Sequence, residues 1–235
     1  MQSLAFTLYD LIAYLVPGAV AVWALAGLIG RMGWNVQQSS VTLPETAFAA
    51  AVAAAIYATG HALHAIANLT IDLLPFGGYP PGNYFPEQFE KDFREPFRST
   101  LYNRIVNQFL MQSLRQPEES PPAAGDRELV NSTVKNAYWA CYTVVAQSKP
   151  NSLVQIFSSM TGLCRGLCVG SFVITLAYLA GFFILHTVAF LTVAIVALGA
   201  GCLFLNRAAR FKGYLTKTVY SDFLHISQGQ LSDQG

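Results

Sequence analysis

The side chains able to do chemistry in this chain are few. The stretch "YATGHALHAIANLTIDL", residues 57 to 73, sets His61 and His64 three residues apart on one helical face. Imidazoles so spaced can share a metal, relay a proton or hydrogen-bond inside a packed interior. Zinc needs a third and a fourth ligand, and the donors on offer are Cys164 and Cys168, one helical turn apart. The structural role demands least, with Tyr14, Thr59, Thr175 and Tyr178 as hydrogen-bond partners. No metal and no cofactor is therefore expected. The acids Glu87, Glu90, Asp92 and Glu95 alternate with Lys91, Arg94 and Arg98, as on a solvated helix face. Asp10 suits the positive N-terminal end of a helix. There is no Walker loop, HExxH, GxSxG or GxGxxG after a strand. The chain reads as non-enzymatic.

The elements that position these residues are apolar. Of the 235 residues 53% are hydrophobic and 11% are charged, against about 25% charged in ordinary soluble domains. A span needs about 20 mostly apolar residues. Four stretches qualify: 11–29, 47–67, 167–185 and 187–205. The expected fold is all-α: a polytopic membrane protein with four transmembrane helices and a helical cytoplasmic insert between the second and third. The first stretch lacks the basic start of a signal peptide, because residues 1–9 carry no Lys or Arg. Pro17 and Gly18 inside it mark a candidate helix break. The second is alanine-rich, with 11 Ala between Ala47 and Ala67. Small residues let helices approach closely, so this span is expected at the centre of a bundle or in an oligomer interface. The third and fourth are joined almost directly through His186. At about 1.5 Å per residue, His61 lies roughly 21 Å into the second span, where an ionisable group faces other helices.

Orientation follows from charge. Of 14 Lys and Arg residues only Arg31 lies between the first two spans. The positive-inside rule places both termini and the long insert in the cytoplasm, and the loop containing Arg31 outside with Trp34 as an interface anchor. The division expected is 1–68 as a transmembrane hairpin, 69–165 as the insert, 166–206 as a second hairpin and 207–235 as a basic tail. The insert opens with "PFGGYPPGNYFPEQF", a loop by its Pro, Gly and aromatic content. Apolar residues then recur every four positions, from Phe89 through Phe93, Phe97, Leu101 and Ile105 to Phe109, as in an amphipathic helix. After a linker at 116–126, a second helix is expected from about Asp126 to Gln147, and a third from Ser152 running into the third span. Phe93, Phe97 and Leu101 form a candidate docking face for a soluble cytoplasmic protein. The tail reads as a helical extension of the fourth span, with Arg207, Arg210 and Lys212 as candidate contacts to lipid headgroups. A net charge of +1, with no basic run interleaved with aromatics, argues against nucleic acid.

Three segments, "YDLIAYLVPG", "GHALHAIANL" and "RAARFKGYLTKTVYSDF", resemble span ends of small four-span bacterial membrane proteins of unknown function. Some of those occur in phage-defence gene neighbourhoods. The resemblance implies a membrane effector or sensor in a bacterium. The alanine-rich second span, the Pro17 break and the nearly charge-free outer loop add the expectation of a homo-oligomeric inner-membrane protein whose cytoplasmic cap receives a signal and whose spans respond at the membrane. A non-enzymatic scaffold tethering a soluble partner, and a channel or transporter subunit, are the alternatives. Against transport, no internal repeat and no mid-span carboxylate is visible.

Overall fold

The computed structural model describes residues 8–33, 44–71, 95–109, 124–148 and 153–232. Phe93, Trp34, the aromatic loop after residue 71 and most of the 116–126 linker lie outside the described residues. The described chain is helical and contains no strand: α1 (Leu8–Arg31), α2 (Glu45–Ile71), α3 (Phe97–Phe109), α4 (Ala124–Ser148), α5 (Leu153–Leu185) and α6 (Val188–Ser232). Four of these, α1, α2, α5 and α6, are long and apolar enough to cross a membrane.

Helix ends follow local chemistry. Gly33, at φ +80°, closes α1 in the left-handed conformation, with its amide on the Gly30 carbonyl. Between α5 and α6 the left-handed residue is His186, at φ 50°, whose amide donates to the Phe182 carbonyl at 2.7 Å. Histidine is among the residues that tolerate this region. Thr187 starts α6 by accepting the Phe190 amide at 3.0 Å. At α3 the Glu95 carboxylate accepts the Ser99 amide at 3.2 Å and so caps the positive helix end.

The chain forms two compact units, Met1–Ile71 with Ser159–Phe211, and Asp72–Ser158 with Lys212–Gly235. α5 and α6 each run unbroken and contribute to both. At about 1.5 Å per residue the 45 residues of α6 are roughly 68 Å long, more than twice a hydrocarbon core of about 30 Å.

In the first unit α1 packs on both α2 and α5 through small residues. A Cβ at Gly18 would fall on the Ile56 carbonyl, and one at Gly60 on the Tyr14 carbonyl. The backbones of α1 and α2 therefore meet at a crossing only glycine admits. α1 runs through Pro17 without interruption, so the candidate break is a packing point. The Pro17 ring sits 2.9 Å from where a Gly166 Cβ would stand. Ala13, whose carbonyl loses its usual donor to the proline, faces the same glycine at 3.8 Å. The core continues as Ala21, Leu63, Ala67, Cys168 and Val169, then as Ala24, Leu28, Ile174, Tyr178 and Phe190.

The second unit has a core of its own. Leu101 and Ile105 of α3, Ala137, Tyr138, Cys141 and Val145 of α4, and Val154 of α5 pack with Leu215, Val219, Tyr220, Phe223 and Leu224 of α6. Each set falls at helical spacing, so each helix turns one stripe inward. The tail of the sequence thus supplies the floor of this core, beyond the surface role its basic start suggests.

Candidate functional site

The two histidines of α2 lie against Tyr14 of α1. The Tyr14 ring stacks on His61 with centroids 4.1 Å apart and planes 13° from parallel. It meets His64 edge-on at 5.1 Å. Tyr57, one turn before His61, closes on that imidazole at 4.4 Å and 74°. One phenol ring therefore orders both imidazoles. The Cε1 atom of His64 sits 3.4 Å from where a Gly162 Cβ would be, beside Ala13. His64 is half-buried, and His61 is exposed on the chain's own surface.

Of the expected hydrogen-bond partners, Tyr14 makes ring contacts with both histidines, and Thr175 and Tyr178 bond elsewhere. The Tyr178 hydroxyl donates to the Ala24 carbonyl at 3.1 Å. The Thr175 hydroxyl donates to the Ser171 carbonyl at 2.8 Å and reaches the Ala194 carbonyl at 3.4 Å. The bonds to Ala24 and Ala194 tie α5 to α1 and α6, and none of the three reaches an imidazole.

A glycine ladder on α5 receives this cluster. Gly162, Gly166 and Gly170 stand four residues apart and face His64, Pro17 and Leu63 respectively. The run "GLCRGLCVG" carries the small-xxx-small pattern of close helix pairing. It is the signal that sequence reading passed over while weighing the cysteines between those glycines. Within the same run Arg165 is buried, and its guanidinium donates to the Ala67 carbonyl at 3.1 Å. A cation close to the C-terminal end of α2 complements the helix dipole.

Cys141, Cys164 and Cys168 are buried and Cys202 is exposed, all as free thiols. Among the described residues no group of three His, Cys, Asp or Glu side chains could hold a metal. Burial pushes the Cys141 thiol well above its ordinary range. Arg207 and Arg210 are exposed, whereas Lys212 is buried, which removes Lys212 from the headgroup contacts expected of the three. Leu101 is fully buried and Phe97 packs against the same core. The docking face expected through them is thus taken up inside the second unit, and docking there requires that core to open.

Comparison with known proteins yields no match to a family model, a curated protein or a solved structure.

Proposed function

We propose that the chain is a homo-oligomeric bacterial inner-membrane effector or sensor, in which the helical second unit receives a signal and the spans respond by perturbing the membrane. The observation that carries this reading is the first half of α2. Every side chain from Glu45 to Ala55 is exposed, and seven of those eleven residues are Ala. Among the four candidate spans α2 is both the least lipophilic and the least buried.

Lipid solvation would favour the reverse. The exposed face of α6 shows what acyl chains accept: Val188, Val193, Ile195, Val196 and Leu203. Alanine gains little from lipid but lets another helix approach closely. Three turns of it, continuing toward the exposed imidazole of His61, suit a second copy of the same chain. An ionisable group facing lipid is costly, and association covers it. The unbroken courses of α5 and α6 through both units support transmission of a signal from the second unit to the spans. Thirteen of the 14 basic residues fall outside the loop that carries Arg31, which supports cytoplasmic termini. The resemblance to four-span proteins of phage-defence neighbourhoods supports a membrane-perturbing outcome.

The test is to express the full chain in a bacterium. Its mass is then measured in mild detergent, and membrane potential is followed with a voltage-sensitive dye. A particle of several times 25.6 kDa, after subtraction of detergent, together with depolarisation on expression, is expected. A monomer with intact potential overturns the proposal.

A further inference from the structure

The end of α6 within the first unit carries two exposed guanidinium groups on one face. Leu203, Arg207 and Arg210 follow one another at i, i+4 and i+7, and all three are exposed. They lie on one helical face. From Val188 to Arg207 is about 29 Å of helix at 1.5 Å per residue, close to the hydrocarbon thickness of about 30 Å. An aliphatic side chain suited to acyl chains is therefore followed, at headgroup depth, by two guanidinium groups. Neither makes an ion pair with a described residue.

The sequence from Leu153 to Ser221 contains no Asp or Glu at all. The carboxylates among the described residues of this unit are Asp10 and Glu45. Glu45 opens α2, more than 20 residues from Ala67, the residue that Arg165 bonds. Asp10 is one turn before Ala13, which faces Gly162 and Gly166. Among the described residues of this unit, these two carboxylates stand against the four guanidinium groups of Arg31, Arg165, Arg207 and Arg210. Arg165 has its own partner in the Ala67 carbonyl. The two exposed cations remain for an outside anion. Arginine is suited to phosphate, because its planar fork can give two parallel hydrogen bonds to phosphate oxygens.

We propose that Arg207 and Arg210 form a binding site for the phosphodiester headgroup of an anionic phospholipid, whose acyl chains lie along the face marked by Leu203. This rests on α6 crossing a membrane. The lipid acts as a resident ligand of the span end and supplies the anion that no described carboxylate gives Arg207 and Arg210.

The test uses the full chain extracted in mild detergent and titrated with phosphatidylglycerol or with phosphatidylcholine. Bound lipid is counted by native mass spectrometry. Wild type retains phosphatidylglycerol in preference to phosphatidylcholine. Arg207→Gln with Arg210→Gln lowers that preference about 30-fold, the ratio equivalent to about 1 kcal/mol for each basic residue. Glutamine keeps the helix propensity, so the melting temperature in detergent alone stays that of wild type. Arg31→Gln, an exposed cation at the end of α1, leaves the preference unchanged. Equal retention of the two lipids by wild type overturns the site, as does an unchanged preference in the double variant. Displacement of phosphatidylglycerol by excess inorganic phosphate would make this a free-phosphate site and also overturn it. A chain that stays in the aqueous fraction without detergent overturns the membrane reading, and this site with it; loss of the preference alone leaves that reading standing.

Discussion

Placing one methyl group on Gly60 separates the two helices that define the first unit. The added Cβ would land on the Tyr14 carbonyl, with the Tyr14 carbonyl carbon at 2.8 Å and its Cα at 3.2 Å. All three are backbone atoms, so no side-chain rotation relieves the clash and α1 must retreat. Gly18 poses the same problem from the other side, against the Ile56 carbonyl and the Gly60 amide nitrogen at 2.9 Å. Overpacking of this kind costs about 1–3 kcal/mol. For a chain of this size that corresponds to a fall in melting temperature of about 2–12 °C. The two substitutions act on one crossing. Once the helices have parted the second methyl meets less resistance, so the double variant loses less than the sum of the singles. Gly30 and Gly199 have no heavy atom within 4 Å of an added Cβ. Alanine there should be neutral, or stabilising by about 0.5–1 kcal/mol. Melting is followed by size-exclusion fluorescence of the chain in mild detergent across Gly18→Ala, Gly60→Ala, their combination, Gly30→Ala and Gly199→Ala. Stability of Gly60→Ala within the range of the two controls refutes the crossing, as does strict additivity.

Phe223→Ala removes a fully buried ring from the second unit and should cost about 3–5 kcal/mol; protease cleavage confined to α3, α4 and the tail reports it, and an unaltered digest contradicts the tail's place in that core. Tyr178→Phe deletes the hydroxyl bonded to the Ala24 carbonyl and should lower the melting temperature by the equivalent of about 0.5–1.5 kcal/mol. Arg165→Gln removes the guanidinium bond to Ala67, and faster hydrogen exchange over residues 64–71 is expected, with α1 unchanged. Cys141 keeps its proton in the folded chain because burial raises its pKa. The unfolded chain loses that proton as pH rises through about 8.5, so the stability this thiol contributes is present below that pH and lost above it, by up to about 1.4 kcal/mol per pH unit. Denaturation of the wild type and of Cys141→Ala between neutral and alkaline pH should show the steeper alkaline loss in the wild type alone.

The apolar runs made the four long helices legible, because a lipid-crossing helix needs length and composition and little else. The period-four stripe through Phe97, Leu101 and Ile105 marked an amphipathic helix, and the structure buries that face in the second unit's core. Its use was harder to see. Periodicity tells that a face is covered but not by what, and the cover includes the chain's own tail, more than a hundred residues away. The stripe at Leu215, Val219, Tyr220, Phe223 and Leu224 is as regular, but the basic residues beside it drew the reading toward lipid. Pro17 misled in a similar way. A proline in a helix signals a lost hydrogen bond, and only the position of Gly166 shows the ring filling a gap in a neighbour. Histidine spacing located His61 and His64 on one helix but was silent on which rings of other helices reach them. Tyr14 stood with Thr59, Thr175 and Tyr178 as an expected hydrogen-bond partner; that its ring stacks on His61 is a tertiary fact.

Disulfide cross-linking in native membranes tests most directly whether α2 is the face on which two copies meet. In a Cys202→Ala background, which removes the one exposed native thiol, cysteine is placed at Ala50 or Ala54 of α2 and, for comparison, at Val196 or Leu203 of α6. A dimer band on mild oxidation from the α2 positions, absent from the α6 positions, is the predicted result. No cross-link from any α2 position, or equal cross-linking from α6, would contradict the account.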